Sequence, residues 1–288
     1  MRAVLNGVDT YYETAGSGPA LVCVHGGPGL GDHRRYKRWM AALADAFTLV
    51  YYDLRGCGQS GDPAEGGYSH DDFVADLDAL RAHLGFERMA LLGTSYGGFI
   101  SLEYALRHQE RLTHLLLADT ASSKHHDEAA KRNALASDLP MDRSLLLSLF
   151  EGRMRNDEEF RRAYAMIQPL YRVRPDPAAD AAALAEMRFR HRAHNFAFSR
   201  NLPAYDLRHR LGEIAVPTLV LCGRHDWITP LEESELMASR IPNAELVVFD
   251  HSGHSPMMEE NDAFLAAVRG FLTSPVPDRS APAARSRE

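Results

Sequence analysis

The sequence predicts an α/β fold, a mainly parallel sheet flanked by helices, with a helical segment inserted into it. Short, continuous apolar runs are typical of parallel strands, because such strands are covered on both faces. These runs alternate with stretches of helical spacing, which indicates βαβ units. The alternation stops near residue 121 and returns near residue 213, and the sequence between is helical in pattern and rich in charge.

Composition and charge are those of an ordinary globular protein and exclude several partners. Of the 288 residues, 45% are hydrophobic and 25% are charged. The net charge of −7 argues against nucleic acid, because phosphate binding requires an excess of basic side chains. No apolar run approaches the roughly 20 residues that span a bilayer, and the first residues lack the apolar core of a signal peptide. We therefore expect a cytoplasmic protein without a membrane partner.

No sequence pattern indicates a metal ion or an organic cofactor. The three cysteines are scattered, and Cys23 and Cys222 lie within predicted strands. An odd number of cysteines fits a reducing compartment. There is no CxxC pair and no HExxH pattern. We therefore predict that the protein uses neither a metal nor a cofactor.

The individual elements follow from apolar spacing and from turn residues. The clearest helix begins after Ser69, which suits an N-cap, has Asp71 and Asp72 in its first turn, and ends before Gly85. The predicted strands are 8–14 (an edge strand), 20–24, 47–52, 89–92, 115–117, 218–222 and 246–249, and the predicted helices outside the insertion are 33–45, 69–83, 99–106 and 263–272.

Residues 93–98, Gly-Thr-Ser-Tyr-Gly-Gly, join a predicted strand to a predicted helix. A tight turn at this place leaves no room for a Cβ atom at Gly93 or Gly97. The turn raises the Ser95 hydroxyl above the sheet and points the first N–H groups of the helix at whatever the serine attacks. This pattern is the Gly-x-Ser-x-Gly nucleophile elbow, and it predicts that Ser95 is a nucleophile.

A second glycine-rich turn, His-Gly-Gly-Pro-Gly at residues 25–29, also follows an apolar strand. In acyl transfer, such backbone supplies N–H groups to the charge that develops on a carbonyl oxygen. The N–H of Gly27 and the N–H of Tyr96 are the natural pair for this oxyanion hole. A phosphate-binding loop is the alternative, but the Gly-Lys-Ser/Thr ending that it requires is missing.

Three motifs together carry a family resemblance: residues 25–29, residues 53–60 (Asp-Leu-Arg-Gly-Cys-Gly-Gln-Ser) and residues 93–98. In this order they resemble the α/β-hydrolase superfamily, and more narrowly the proline iminopeptidase-like serine hydrolases of peptidase family S33. The likeness covers roughly residues 5–273. It implies an α/β-hydrolase fold and a catalytic triad in the chain order Ser, Asp, His.

Two later loops offer partners in that order. Asp226 follows the strand predicted over 218–222, and carboxyl ends of parallel strands form the face where such sheets build their sites. His254 lies on the loop after the strand predicted over 246–249. We therefore predict Asp226 as the acid and His254 as the general base that takes the proton of Ser95.

Each assignment has an alternative. Asp119 follows the strand predicted over 115–117 and could act as the acid, and His251 could replace His254 as the base. Asp250 is interpreted as a turn or cap residue of its loop. His25 resembles the histidine that the family has in this loop, and the resemblance implies a structural role for it.

The break in the strand and helix alternation predicts the domain organisation. Residues 1–120 and 213–273 are assigned to the hydrolase core, and residues 121–212 to a helical cap above the active site. The cap is expected there because the insertion leaves from a strand's carboxyl end, as the predicted site residues do. Residues 274–288 are rich in proline, serine, alanine and arginine, which predicts a disordered tail.

The chain departs from the family at the positions that would hold a free amino group. The resemblance implies a cap glutamate followed by phenylalanine, and an acid after the triad aspartate. The matching positions are Asn195, Phe196 and Trp227. Asparagine cannot neutralise a buried ammonium, although Glu186 or Glu151 could substitute for it. We predict Trp227 and Phe196, with Asn195, as a pocket for apolar or aromatic groups.

These observations favour a cofactor-free serine hydrolase of small esters or amides. The substrate partner is then a small ester, an amide or a short peptide. One alternative is a true proline iminopeptidase that releases N-terminal residues, and another is a non-enzymatic receptor for a small ligand on a hydrolase scaffold. An epoxide hydrolase or dehalogenase would need aspartate at the position of Ser95. The sequence does not indicate an oligomeric state.

Overall fold

A central sheet organises the chain. The structure, a computed structural model, describes residues 1–64 and 66–274. Within them the sheet has eight strands in the order β1-β2-β4-β3-β5-β6-β7-β8, and every pair from β4 onward in that order is parallel. The strands are β1 (Arg2–Leu5), β2 (Val8–Ala15), β3 (Ala20–Val24), β4 (Thr48–Tyr52), β5 (Met89–Thr94), β6 (Leu112–Ala118), β7 (Thr218–Gly223) and β8 (Ala244–Phe249). The predicted α/β fold with a mainly parallel sheet is confirmed.

Helices cover both faces of the sheet. One face packs against α1 and α12, and the other packs against α2, α3 and α10. The helices are α1 (Arg34–Met40), α2 (His70–His83), α3 (Tyr96–His108), α4 (His126–Ala136), α5 (Arg143–Phe150), α6 (Asp157–Ile167), α7 (Pro177–Glu186), α8 (His191–Phe196), α9 (Leu202–Ala204), α10 (Leu231–Arg240), α11 (Pro256–Glu259) and α12 (Asn261–Thr273).

The continuous apolar strands are explained by burial on both sides. All five residues of β3 are buried. Because side chains alternate along a strand, Leu21 and Cys23 pack with α1 and α12, whereas Val22 and Val24 pack with α2 and α3. Because both faces of this strand are apolar, apolar and polar residues do not alternate in its sequence. The strand is therefore visible in the sequence as an unbroken apolar run.

Two elements have no clear signal in the sequence. Strand β1 pairs with β2 at the edge of the sheet, and of its residues only Leu5 is buried. Helix α10 buries only Ser234 and Met237 along its length, so no apolar stripe marks it. Sequence reasoning finds neither element, since each contributes too few buried residues to form a pattern.

The predicted cap of α2 is present. The Ser69 hydroxyl accepts a hydrogen bond from the Asp72 N–H at 3.1 Å, and the Asp72 carboxylate accepts one from the Ser69 N–H at 2.9 Å. This reciprocal pair satisfies two N–H groups that have no partner within the helix.

Replacing Ser69 by alanine is expected to lower the free energy of unfolding by about 1 kcal/mol, because the Asp72 N–H loses its acceptor. The measurement is the urea midpoint together with the slope of the transition. A matched control is Ser239→Ala, which removes an exposed hydroxyl bonded to a carbonyl inside α10 and is expected to change stability by less than about 0.5 kcal/mol. Equal losses in the two variants would contradict the assigned role of the cap.

The segment between β6 and β7 is helical, as its sequence predicts. It carries α4 to α9 and, within the described residues, no strand apart from an isolated bridge between Ser123 and Asp206. Its two ends are held side by side, because the Lys124 N–H donates to Tyr205 O and the Leu207 N–H donates to Ser122 O. The helices α4, α5 and α6 form an apolar cluster of their own. The segment therefore leaves the sheet and returns to it at one place.

The tail predicted over 274–288 lies outside the described residues from position 275 onward. Among the helices that the structure describes, none combines the length and the apolar character needed to cross a bilayer.

Candidate active site

The turn between β5 and α3 holds Ser95 in a strained conformation. Ser95 has φ 54° and ψ −125°, a region in which a residue other than glycine costs about 1–3 kcal/mol. A Cβ atom at Gly93 would lie 2.4 Å from Gly97 O, and one at Gly97 would lie 2.1 Å from Val24 O. The glycines of the motif are therefore required by close packing around the serine.

Neighbouring strands keep this turn in place. The Ser95 N–H donates to Ala118 O at 3.0 Å, and the Thr120 hydroxyl donates to Ser95 O at 2.7 Å. Both partners belong to the end of β6 or to the residues after it. The backbone of Ser95 is thus fixed from the neighbouring strand, and its side chain lines a cavity of about 520 Å³.

His254 and Asp226 meet at the carboxyl ends of β7 and β8. The two atoms His254 Nδ1 and Asp226 Oδ2 are 2.7 Å apart, and both side chains are buried. Asp226 Oδ1 accepts hydrogen bonds from the N–H groups of Ile228 and Thr229 at 2.9 and 3.0 Å, and the Thr229 hydroxyl donates to Oδ2 at 2.7 Å. These donors fix the carboxylate, which in turn orients the imidazole.

His254 lines the same cavity as Ser95. Within the part of the chain that the structure describes, the two side chains share the cavity without a direct hydrogen bond. In a structure without substrate such a contact is often long and shortens only when the substrate binds. The structure thus brings Ser95, His254 and Asp226 to one site.

The alternative acid and base residues make other contacts. Asp119 Oδ1 accepts a hydrogen bond from the Gly223 N–H at 3.0 Å. Burial and the nearby charge of Asp226 raise the pKa of Asp119 well above its usual value, which favours the neutral form of its carboxyl group. His251 is exposed on the surface, and Asp250 forms an exposed ion pair with Arg224 at 2.6 Å.

Asp119, Cys222 and Asp226 place one possible ligand atom each within 4.8 Å of one another. Their chemistry does not suit a metal ion. Burial raises the pKa of the Asp119 carboxyl and of the Cys222 thiol and so disfavours the charged forms that bind a cation, and Asp226 already accepts three hydrogen bonds and contacts His254. Two of the three groups would have to lose a proton in a buried position before they could bind a cation.

The predicted oxyanion loop lies beside Ser95. A Cβ atom built on Gly26 would lie 3.3 Å from Ser95 Oγ, and Gly27 has a φ of 66°, which favours glycine. Tyr96 is the first residue of α3, so its N–H has no partner within the helix. Among the described residues, neither the Gly27 N–H nor the Tyr96 N–H donates to a protein acceptor. Both donors are free to meet a ligand.

His25 supports this loop, as the sequence analysis expected. The Leu54 N–H donates to His25 Nε2 at 3.0 Å, so the ring proton is on Nδ1, which lies 2.8 Å from Gly26 O. Burial lowers the pKa of His25 and keeps the ring neutral. The histidine therefore fixes the backbone of the loop from behind.

The Tyr96 side chain is held by residues that sequence reasoning missed. Its hydroxyl lies 3.0 Å from His70 Nε2 and accepts a hydrogen bond from Asn201 Nδ2 at 2.8 Å. Asn201 also donates to Tyr68 O at 2.8 Å. It lies in a π-helical segment, Ala197–Asn201, of the helical insertion. The insertion is thus hydrogen-bonded directly to Tyr96, the residue after Ser95.

The three predicted pocket residues are corrected by the structure: none of them lines the cavity. The Asn195 amide accepts from the Met154 N–H and donates to Met154 O, so it joins two parts of the insertion. The ring of Phe196 packs against the ring of Tyr68, with the two centroids 5.9 Å apart. Trp227 is buried beneath the helices of the insertion. Phe196 and Trp227 therefore pack between the insertion and the rest of the chain, and Asn195 stabilises the insertion itself.

Other aromatic residues of the insertion form the cavity wall. Tyr171 lies edge-on to the His254 imidazole with ring centroids 5.2 Å apart. His194 stacks between Phe160 and Phe198, and burial lowers its pKa to about 4, so it is neutral. The only sequence signal for this wall is helical spacing, which a packed core shows as well. The aromatic residues of the insertion that line the cavity are Phe150, Phe160, Tyr164, Tyr171 and Phe198.

The acidic side chains of the cavity wall are already paired. Arg34 Nε donates to Asp32 at 2.9 Å, and the same guanidinium lies 3.5 Å from Glu186. Asp180 is bound through Oδ1 by Arg172, and its other oxygen is buried without a partner. Each carboxylate of the wall thus has an arginine within ion-pair distance, and Arg34 is shared by Asp32 and Glu186.

Comparison with known proteins agrees with this geometry. A family model described as the alpha/beta hydrolase fold matches residues 19–261. A protein named Proline iminopeptidase PfmaB, from Pestalotiopsis fici, is 30% identical over 276 residues, covering 93% of this chain and 97% of that protein. A proline iminopeptidase from Saccharolobus solfataricus is 30% identical over 284 residues, covering 92% and 89%.

A solved structure is similar over almost the same length. The enol-lactonase from Burkholderia xenovorans superimposes with a TM-score of 0.76 at 26% identity, covering 95% of this chain and 100% of that one. The family model and the full-length relatives point to the same family. The chain belongs to the α/β-hydrolase fold family, and it is a proline iminopeptidase-like hydrolase enzyme.

Proposed function

We propose that the protein is a cofactor-free serine hydrolase that cleaves a small carboxylic ester or amide through an acyl-enzyme. The observation that carries this proposal is the contact of 2.7 Å between His254 Nδ1 and Asp226 Oδ2, in a cavity that also exposes the strained Ser95. A nucleophile, a base and a group that orients the base are the elements of nucleophilic acyl transfer.

In this mechanism Ser95 Oγ attacks the substrate carbonyl while His254 Nε2 takes the hydroxyl proton. The negative charge that develops on the carbonyl oxygen is stabilised by the N–H groups of Gly27 and Tyr96. His254 then gives the proton to the leaving group as the acyl-enzyme forms. Water next attacks the acyl carbonyl while His254 takes a proton from it, and His254 returns that proton to Ser95 Oγ as the carboxylic acid is released. Asp226 keeps the Nδ1 proton in place and stabilises the imidazolium.

We also propose the domain division: residues 1–120 and 213–273 form the core, and residues 121–212 form a cap over the active site. The wall of the cavity supports it, because core residues such as Ser95 and His254 and insertion residues such as Tyr171 and Phe198 line the same space. A cap of this kind excludes water and presents its aromatic side chains to the substrate.

A true proline iminopeptidase is the second candidate, and the names of the relatives favour it. Such an enzyme must receive a free ammonium group. The charges of the wall argue against this here, since each of its carboxylates already has Arg34 or Arg172 within ion-pair distance. Removing an ammonium from water without a paired charge costs several kcal/mol.

A matched pair of substrates tests this choice. We expect N-acetyl-proline p-nitroanilide to be cleaved with a kcat/KM at least about a hundredfold higher than that of proline p-nitroanilide, because each 1.4 kcal/mol of unpaired desolvation removes about tenfold. The two share a leaving group, so intrinsic reactivity is matched, and Ser95→Ala must remove both activities. Faster cleavage of the unblocked compound would restore the iminopeptidase, with Asp180 as the acid to replace next.

A further inference from the structure

The wall of the cavity carries more positive than negative charge. Four arginines and three acidic residues line it. Two of the arginines, Arg34 and Arg172, contact all three acids. Arg35 and Arg38 remain, and among the described residues neither has a carboxylate within ion-pair distance. The guanidinium carbon Cζ of Arg38 instead lies 4.9 Å from the ring centroid of its neighbour Trp39.

Arg35 projects from α1 towards the general base. Its guanidinium donates a hydrogen bond to the hydroxyl of Ser255, the residue after His254. Burial raises the pKa of the Tyr164 and Tyr171 hydroxyls in the cap, and the charge of Arg35 opposes this rise in both. Arg35 is exposed and lines the cavity, and its positive charge reaches both the loop of His254 and the two tyrosines of the cap.

A guanidinium has five N–H donors in one plane, and a single acceptor on Ser255 leaves most of them free. The planar fork matches the two oxygens of a carboxylate, and such charge-assisted pairs are stronger than neutral hydrogen bonds. An arginine left without an acid beside a catalytic base is a suitable receptor for an anionic group of the substrate. The same charge repels an ammonium group.

We propose that Arg35 binds a carboxylate of the substrate, so that the preferred substrates are esters or amides that carry a free carboxylate. This inference rests on the proposed function, and it narrows the substrate class. The aromatic wall formed by the cap, with Tyr171 beside the base, would contact the apolar part of such a substrate.

A binding experiment tests the proposal without turnover. In Ser95→Ala protein, the dissociation constants of 3-phenylpropionate and of 3-phenylpropanamide are measured by NMR titration. The two ligands differ only in charge at one end. We expect the carboxylate to bind at least about tenfold more tightly than the amide, a ratio equivalent to about 1.4 kcal/mol, and Arg35→Met to reduce the ratio to about one.

The matched control is Lys37→Met, which removes a positive charge from the same helix. Lys37 is ion-paired with Glu13 at 2.6 Å on the surface and lies outside the cavity wall. It is expected to keep the tenfold ratio, and Arg35→Lys is expected to retain part of it. A ratio near one in the Ser95→Ala protein, or a tenfold ratio that survives Arg35→Met, would overturn the proposal.

A kinetic experiment separates this proposal from the proposed function. In wild-type protein, kcat/KM is compared for 3-acetoxybenzoate and 3-acetoxybenzamide, two esters with the same acyl group and leaving groups that differ in charge. A preference for the anionic ester that falls at least about tenfold in Arg35→Met supports the carboxylate site. An equal loss on both esters contradicts it. If neither ester is cleaved while the binding preference persists, the proposed ester hydrolysis is wrong and the carboxylate site stands.

Discussion

Replacement of Ser95 by alanine is expected to lower kcat by about 10⁶, to the level that the oxyanion hole and substrate binding supply alone. The hydroxyl is the only part of the side chain that is lost, so the cavity keeps its shape. Alanine tolerates the φ of 54° no better than serine does, so the thermal midpoint should change little. The measurement is kcat on the best ester substrate, at enzyme concentrations high enough to detect the residual rate.

The control for Ser95→Ala is a second serine of the same turn region. Ser101 lies one turn into α3 and donates its hydroxyl to Gly97 O at 2.7 Å, inside the fold. Ser101→Ala should keep most of the activity and should still react with a fluorophosphonate probe, whereas Ser95→Ala should not react. Full activity or labelling of the Ser95 variant would exclude this serine as the nucleophile.

The fold, and the meeting of Ser95, Asp226 and His254 at one site, can be predicted from the sequence because local geometry dictates them. The turn around Ser95 accepts only glycine at Gly93 and Gly97, since a Cβ atom there would lie 2.4 Å or less from backbone oxygen. A requirement of this kind leaves a fixed pattern in the sequence. The loops that carry Asp226 and His254 follow buried strands, whose apolar runs are equally visible.

The residues that line the cavity could not be predicted, because they depend on which face each helix of the insertion presents. Asn195, Phe196 and Trp227 have the composition of a pocket, yet Phe196 and Trp227 pack between the insertion and the rest of the chain, and Asn195 joins two parts of the insertion. The role of Arg35 is hidden for a different reason. Its neighbour Arg34 pairs with Glu186, 152 positions away in the chain, and no local pattern tells which of two adjacent arginines keeps an unpaired charge.

The acid of the site is tested by two asparagine variants of buried aspartates. Asp226 accepts hydrogen bonds from two backbone N–H groups and from the Thr229 hydroxyl, and it contacts His254 Nδ1. In Asp226→Asn an amide N–H can face Nδ1, which favours the imidazole tautomer that carries its proton on Nε2. That tautomer cannot accept the proton of Ser95, so kcat should fall by about 10⁴ with the fold intact.

Asp119→Asn is the matched control, because the raised pKa of this carboxyl group favours its neutral form. Burial and the charge of Asp226 raise the pKa of Asp119, and its Oδ1 accepts the Gly223 N–H, which an asparagine oxygen can also do. Exchanging one neutral group for another of the same shape should change kcat by less than about tenfold. If Asp119→Asn were the damaging change and Asp226→Asn harmless, Asp119 would be the acid, and the contact of 2.7 Å between Asp226 and His254 would be structural.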